Sequence, residues 1–503
     1  MRLLVVFSAF FLLTSQVFSQ LPEPPAAATG FGKVTSYDEV VAYLQHLDRQ
    51  SDLVAIDSIG ISANGRFLYA LKFSSGEFGT TPEKVRVLIF AQQHGNEQSG
   101  KEGALLLAYF LTKPENRHLF GRLDLALVPQ VNPDGSEINA RRNAHLADLN
   151  RNHLILTEPE TQALHRLFDR YLFEASLDVH EYYPYGDDWK ESGYRKNSEV
   201  TLGTATNPNV AGSIRDFSLN SYLPFFRDYL TGKGFSAFEY CPGGPPGSTY
   251  IRRSTFDVND GRQSLAIQQT FAFIQEGMNG TDSYIENLER RAKGQCAGMM
   301  AFLEFIYEND RRIKDLVISA RDSLMNCKSD SRVPVQMEHT GNGTTLELPL
   351  YSYASGKDTL VTVSDYRPVV ESLFHVTRPA GYLLPAANRE LLAWAGRHSL
   401  NLQRYGRNKE YRIEEYLIGK IGTIDFEGDT IVDPEVTCRE YQGRIGRKDF
   451  LFLPVDQLKG TLIIYALEPK SMLGLVTYSG YSHLLKAGAP FPVLRVVKKE
   501  AKK

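Results

Sequence analysis

The sequence predicts an α/β fold in which helices flank a mixed central sheet, followed by a smaller C-terminal β-rich region. Between residues 36 and 330, apolar runs of strand length alternate with helical stretches, which is typical of a layered α/β domain. From about residue 333 onward, short alternating apolar runs are separated by Gly, Pro and Asp. That second pattern indicates β structure and a change of architecture.

The strand-like runs of the first part are almost continuously apolar, as strands buried on both faces are. They cover residues 85–93, 122–131, 174–180, 234–240 and 265–275. Helical stretches occupy residues 101–111 and 159–172, and a long helical segment at about 283–326, with a break predicted near 293–294, closes this part. In the second part, the strand-like runs include residues 344–353, 358–366 and 460–467.

The N-terminus has the pattern of a signal peptide over residues 1–19. A single positive residue precedes an apolar run from Leu3 to about Leu13, and small residues then suit cleavage before Gln20. The run is shorter than the ~20 residues of a membrane span, so we expect an exported protein without one. We expect a flexible lead-in over 20–35, rich in Pro and small residues.

A catalytic domain over 36–330 and an accessory region over 333–503 complete the predicted organisation. The chain has 503 residues and a formal net charge of −3, so nothing in its overall charge predicts binding to nucleic acid or an anionic membrane. Four dispersed cysteines are too few for a disulfide-built scaffold, and their pairing stays open. They are Cys241, Cys296, Cys327 and Cys438.

Potential metal ligands follow or end separate strand-like runs. His94 and Glu97 come directly after the first run, and His180 ends another. Zinc prefers nitrogen and oxygen donors of this kind, and open α/β sheets form their sites at the carboxyl ends of strands. Glu276 ends a further run, which would give the site a carboxylate free to act as a base; capping a strand end is the alternative role.

Several motifs in this part resemble those of the zinc carboxypeptidase family. They are an HxxE pair at 94–97, NPDG at 132–135, Arg141, DLNRN at 148–152 and the later His180. The resemblance extends from about residue 36 to 280. Residues 378–385 and 452–469 are similar to tail segments of large bacterial members, which implies a periplasmic or secreted enzyme.

The resemblance implies that His94, Glu97 and His180 bind one Zn²⁺ per chain. Glu276 would then act as the general base, taking a proton from the zinc-activated water and delivering it to the leaving nitrogen. The implied activity is peptide hydrolysis that releases C-terminal residues.

Substrate-binding roles are also implied by the resemblance. Arg141 would polarise the scissile carbonyl, with Arg142 as the rival for that task. Asn150 and Arg151 would hold the free carboxylate of the peptide. Family enzymes place a mobile tyrosine over the substrate some twenty residues before the catalytic glutamate, and Tyr250, 26 positions before it (276 − 250), is the candidate here.

Two other functions are compatible with the same residues. The short interval of 83 positions between Glu97 and His180 (180 − 97) also resembles the branch of the superfamily that removes acyl groups from amino acids. A non-catalytic peptide-binding relative is the second alternative. Export and the DLNRN segment favour peptide substrates over acyl amino acids.

Overall fold

The fold is described from a computed structural model. The structure describes residues 22–327, 331–406, 408–426, 429–446 and 448–499. The predicted signal peptide therefore lies outside the described residues.

The strands, in chain order, are β1 (Val54–Ile61), β2 (Phe67–Phe73), β3 (Val85–Ala91), β4 (Leu123–Val128), β5 (Ala175–Tyr182), β6 (Tyr194–Lys196), β7 (Val200–Thr204), β8 (Ala237–Glu239), β9 (Ile251–Arg252), β10 (Phe271–Met278), β11 (Arg332–Thr340), β12 (Leu346–Ser352), β13 (Lys357–Val363), β14 (Tyr366–Arg367), β15 (Val369–Thr377), β16 (Gly381–Pro385), β17 (Gln403–Arg404), β18 (Tyr411–Phe426), β19 (Asp429–Glu440), β20 (Phe450–Pro454) and β21 (Leu494–Lys498). The α-helices are α1 (Pro25–Ala28), α2 (Tyr37–Gln50), α3 (Gln98–Leu111), α4 (Pro133–Glu137), α5 (Pro159–Tyr171), α6 (Asp187–Glu191), α7 (Gly212–Phe217), α8 (Leu223–Gly232), α9 (Gly261–Ala266), α10 (Leu288–Glu308), α11 (Asp310–Met325), α12 (Arg389–Arg397) and α13 (Gly460–Leu467).

The central sheet is mixed, as the sequence predicts. Its eight strands run in the order β1-β2-β4-β3-β5-β10-β7-β8. The middle strands β4, β3, β5 and β10 are mutually parallel, whereas β2 and β7 pair antiparallel with their neighbours β4 and β10. The parallel strands β3, β5 and β10 therefore end at the same edge of the sheet.

Both faces of this sheet are buried, which explains the nearly continuous apolar runs. Along β3, Leu88 and Phe90 face the core that contains α5, while Val87 and Ile89 face the larger core with α3 and α10. This alternation follows from the two-residue period of a strand. The predicted α/β fold with flanking helices is confirmed.

The C-terminal part is β-rich, as predicted. Its largest sheet has six strands in the order β17-β20-β16-β21-β18-β19. Other strands pair with the first part of the chain: β12 pairs with β6, and β14 pairs with β9. Residues 460–467, which were expected to form a strand, instead form α13. All eight residues of α13 are buried, so its apolar pattern carries no helical period.

Two further segments differ from their sequence prediction. Where a flexible lead-in was expected, α1 forms, Ala26 and Phe31 enter the core, and Thr35 Oγ1 donates to Glu102 Oε2 at 2.7 Å. Small residues and one aromatic ring are enough to dock this segment. The long helical segment continues through 293–294 within α10 and breaks instead at Asn309, before α11; the Asn309 side-chain Nδ2 donates to the Phe305 carbonyl.

The four cysteines form no disulfide: Cys241 and Cys296 are buried thiols, and Cys327 and Cys438 are exposed. Among the described residues, no helix combines the length and the apolar composition needed to cross a membrane.

Trp394 on α12 joins the C-terminal region to the first part. It is fully buried, and its indole Nε1 donates to the Leu154 carbonyl at 2.9 Å. We expect Trp394→Ala to destabilise the protein by about 3–5 kcal/mol, the usual cost of truncating a buried aromatic ring. Calorimetry should show a clearly lower midpoint of thermal unfolding. Leu360→Ala, at a side chain exposed by 65%, is the control and should leave the midpoint unchanged. An unchanged midpoint in Trp394→Ala would contradict this packing.

Candidate metal centre and active site

The ends of β3 and β5 deliver the predicted metal ligands to one place. After β3 the backbone turns at Gln92, whose φ of 60° lies in the left-handed region. The Gln92 side chain supports this turn by donating from Nε2 to the Gly95 carbonyl at 3.1 Å. Gly95 itself packs against α4, where a Cβ would lie 2.2 Å from Gly135 C. The turn after β3 therefore requires glycine at position 95. This turn holds His94 at the edge of the sheet.

His94, Glu97 and His180 form a compact, buried group of metal donors. Their ligand atoms all lie within 4.8 Å of one another. His94 Nδ1 is 3.2 Å from His180 Nδ1, and the Glu97 oxygens lie 2.6 Å and 2.9 Å from these nitrogens. Tetrahedral ligands about 2.0–2.1 Å from a zinc ion lie roughly 3.3 Å apart, so the spacing of the two nitrogens fits zinc.

Hydrogen bonds behind the two imidazoles also fit a metal centre. His94 Nε2 lies 3.1 Å from Asp148 Oδ1, and His180 Nε2 lies 2.9 Å from Asp178 Oδ1. A carboxylate accepts a proton donated by Nε2, which leaves the lone pair on Nδ1 to face the metal. Burial disfavours the charge on Glu97, but His94 and His180 beside it hold its pKa well below the ordinary value. The donor set is thus a pair of imidazoles and an ionised carboxylate.

Glu276 lies next to this group on the neighbouring strand. It is the register partner of His180 in the parallel pair β5 and β10, so the two side chains point to the same face of the sheet. The pKa of Glu276 is raised to about 7, mainly by burial; the positive charge of His180 opposes this rise and the negative charge of Glu97 adds to it. A carboxyl with a pKa in this range can both accept and return a proton near neutral pH.

The two rival arginines, Arg141 and Arg142, make different contacts in the structure. Arg141 Nη1 lies 3.2 Å from His94 Nδ1, and its Nη2 donates to Asp148 Oδ2 at 2.9 Å. Arg142 is exposed and donates from Nη1 to the Leu146 carbonyl at 3.0 Å, within its own loop. Of the two guanidinium groups, the Arg141 group lies beside the metal donors.

The other three predicted substrate contacts have different surroundings. Asn150 is buried and accepts at Oδ1 from the Gly261 backbone N–H at 2.7 Å. Arg151 is exposed and donates from Nη1 to the Asn150 carbonyl at 2.9 Å. Tyr250 stacks under the guanidinium of Arg367, which lies 4.0 Å from the ring centroid. Its observed contact is therefore with the C-terminal region.

Several residues of the site had no role assigned from sequence. Gln93 donates from Nε2 to Asp178 Oδ2 at 2.9 Å, and its Oε1 lies 2.7 Å from His153 Nε2. The sequence places Asp148 in the DLNRN segment but indicates no role for its side chain. A signal for Gln93 did exist, because two glutamines interrupt the apolar pattern at the end of a buried strand. No local sequence pattern indicates that His153 takes part in this hydrogen-bond network.

Comparison with known proteins agrees with this geometry. Residues 40–212 match a family model described as zinc carboxypeptidase. Carboxypeptidase 2 of Trichophyton rubrum is 22% identical over 496 residues, covering 94% of this chain and 89% of the relative. The human carboxypeptidase N catalytic chain is 26% identical over 337 residues, covering 56% and 70% respectively. A metallo-carboxypeptidase from Burkholderia cenocepacia, of known structure, is 19% identical with a TM-score of 0.43, covering 55% of this chain and 70% of its own.

A buried His-Glu-His donor set at the carboxyl edge of a mixed α/β sheet, beside a proton-accepting carboxyl, defines a zinc-dependent peptidase. The family match makes the class specific. The match over residues 40–212 is to the zinc carboxypeptidase family, and the chain is a zinc metallocarboxypeptidase, a hydrolase.

We expect the purified protein to carry one zinc ion per chain, measured by elemental analysis. His180→Ala should lose this zinc, because three protein ligands are needed to hold the ion and leave its fourth position open. His118→Ala is the matched control: His118 is exposed and its Nδ1 lies 2.8 Å from the Glu115 carbonyl. A full zinc content in His180→Ala would show that the ion binds elsewhere.

Asp178→Asn should weaken zinc binding about 10- to 100-fold, since it removes the charged acceptor that orients His180. The affinity can be measured by competition with a chromophoric chelator. The exposed Asp216 offers the control substitution Asp216→Asn, which should have no effect. Equal affinities in all three proteins would mean that Asp178 has only a structural role.

Proposed function

We propose that this enzyme removes single residues from the C-terminus of peptides, with zinc bound by His94, Glu97 and His180 and with Glu276 as general base. The observation that carries the proposal is the position of Glu276, one strand away from His180 in register and close to a pKa of 7. A base of that strength, fixed beside a metal donor set, is what amide hydrolysis requires.

When bound, zinc supplies Lewis acidity and makes a water molecule acidic enough to react near neutral pH. Glu276 accepts a proton from the attacking water and passes it to the nitrogen of the departing residue. Proton transfer to and from this carboxyl is efficient because its pKa is close to neutral pH.

Arg141 would stabilise the negative oxygen that develops on the scissile carbonyl. Its Nη1 lies 3.2 Å from His94 Nδ1, so a substrate carbonyl held beside the donor set would also lie near its N–H groups. The loss of one such donor in other enzymes costs roughly 3–4 kcal/mol of transition-state stabilisation. Asp148 fixes the orientation of this arginine through two hydrogen bonds, at 2.9 Å and 3.1 Å.

Asn150 and Arg151 would hold the free carboxylate of the peptide. Arg151 follows Asn150 on a short 3₁₀ turn, and the Asp148 side chain caps this turn by accepting from the Asn150 N–H at 3.0 Å. A planar guanidinium can bind a carboxylate through two parallel hydrogen bonds. Arg142 and Tyr250 stay predictions with the weakest support, because their observed contacts are with Leu146 and Arg367.

We also propose that the enzyme is exported and acts on peptides in the periplasm or outside the cell. The support is the signal-peptide pattern over residues 1–19.

Glu276→Gln should lower the rate of peptide hydrolysis by about 10²–10⁴-fold while retaining zinc, because the amide cannot accept the proton of the attacking water. The assay incubates the zinc-loaded protein with a mixed peptide library and follows the loss of single C-terminal residues by mass spectrometry. Glu289→Gln, at an exposed glutamate paired with Lys293, is the control and should keep full activity.

Two results would contradict the proposal. Full activity of Glu276→Gln would exclude Glu276 as the base. Release of acyl groups from N-acyl amino acids by the wild-type protein, without loss of C-terminal residues from peptides, would favour the deacylase alternative.

A further inference from the structure

A continuous line of hydrogen bonds leads from His180 into the interior of the protein. His180 Nε2 lies 2.9 Å from Asp178 Oδ1, and Gln93 Nε2 donates to Asp178 Oδ2 at 2.9 Å. At the other end of the same amide, Gln93 Oε1 lies 2.7 Å from His153 Nε2. His153 Nδ1 in turn lies 3.0 Å from His165 Nε2, on α5. Each of these side chains is buried, so water does not compete for the hydrogen bonds.

The chemistry of the groups fixes which atom donates at each step. A carboxylate only accepts, so the amide nitrogen of Gln93 faces Asp178 and the amide oxygen faces His153. An amide oxygen also only accepts, so His153 Nε2 must carry a proton. Burial lowers the pKa of His153 to about 4, and the neutral ring therefore has its lone pair on Nδ1. His165 Nε2 is then the donor to this lone pair.

His153 controls the orientation of the Gln93 amide. The oxygen and nitrogen ends of an amide have nearly the same shape, so packing alone does not distinguish them. Among the described residues, His153 Nε2 is the only donor to Gln93 Oε1. Without that donor, the amide can rotate by half a turn and place its oxygen against Asp178. The carboxylate would then lose a buried hydrogen bond and face a second acceptor.

The far end of the line is not explained by stability alone. His165 Nδ1 is buried and has no hydrogen-bond partner among the described residues. A buried polar atom without a partner is costly, whereas a pair of apolar side chains in place of His153 and His165 would carry no such cost. The two histidines therefore fit a role in ordering the groups in front of them.

We propose that His153, supported by His165, is a positioning residue for the metal centre. Its Nε2–H fixes the Gln93 amide, the amide holds the carboxylate of Asp178, and the carboxylate orients the imidazole of His180 with Nδ1 toward the metal. The inference rests on the proposed metal ligands and adds to them a residue that touches neither metal nor substrate.

The test compares His153→Met with His153→Gln in the full-length protein. The two replacements are nearly equal in length and volume, but only the glutamine keeps an N–H that can reach Gln93 Oε1. We expect His153→Met to weaken zinc binding by about 3- to 10-fold, less than the loss of a direct partner of a ligand would. His153→Gln should stay within about twofold of the wild type. Both affinities are measured by competition with a chromophoric chelator.

The cobalt-substituted protein gives a second measurement. Its visible absorption depends on the geometry of the ligands around the ion. The spectrum should change in His153→Met and stay that of the wild type in His153→Gln. His339→Met is the matched control, because it replaces a buried histidine of β11 that lies outside the hydrogen-bond line. Its zinc affinity and cobalt spectrum should equal those of the wild type.

A double variant separates positioning from a general loss of packing. Asp178→Asn combined with His153→Met should bind zinc no more weakly than Asp178→Asn alone, because both changes interrupt the same line. Thermal unfolding shows whether each variant is folded. If His153→Met is not, His153→Asn replaces it in each comparison and should show the same loss, since its amide is one methylene too short to reach Gln93.

The failures are distinguishable. A wild-type affinity and cobalt spectrum in His153→Met, an equal change in His153→Gln, or additive losses in the double variant would overturn the role of His153 while the metal ligands stand. Full zinc content in His180→Ala would overturn the proposed ligands themselves, and the role of His153 with them.

Discussion

The parallel pairing of β5 with β10 is the constraint on which the rest of the site depends. It places Glu276 directly beside His180, and the pairing of β5 with β3 brings the chain after Ala91 to the same edge. A slip of one residue in either pair would turn the affected side chains to the opposite face. On that face Glu181 already binds Arg291, at 2.7 Å. The register is thus fixed by charges on both sides of the same strand, as well as by the apolar core.

Burying so many polar groups at one sheet edge requires that they satisfy one another. A charge in the interior is tolerated when it is paired and hydrogen-bonded, and an unpaired one is costly. Asp178 meets this requirement through His180 and Gln93. Space is equally limited: a Cβ on Gly261 would lie 2.5 Å from Asp178 Oδ2, so the helix α9 can approach the network only with glycine at its first position. The rigidity of this network keeps the imidazole of His180 in one orientation.

Much of the fold and part of the site follow from local sequence patterns, because each depends on neighbours along the chain. Continuous apolar runs located β3, β5 and β10, and polar residues at their ends indicated His94, His180 and Glu276. Elements that depend on distant contacts were not accessible in this way. Helix α13 is apolar on all sides because it is wholly buried, so its sequence resembles a buried strand.

The C-terminal region forms a continuous structure with the residues around the metal centre. Strand β12 extends a sheet through β6, β14 pairs with β9, and the Tyr478 hydroxyl accepts from Asn259 Nδ2 at 3.2 Å. One large hydrophobic core contains residues of both parts, so neither can bury its apolar surface without the other. Leu348 and Pro349 of β12 line a pocket together with Thr201, the register partner of Glu276, so this pocket forms only when the C-terminal region is folded against the central sheet.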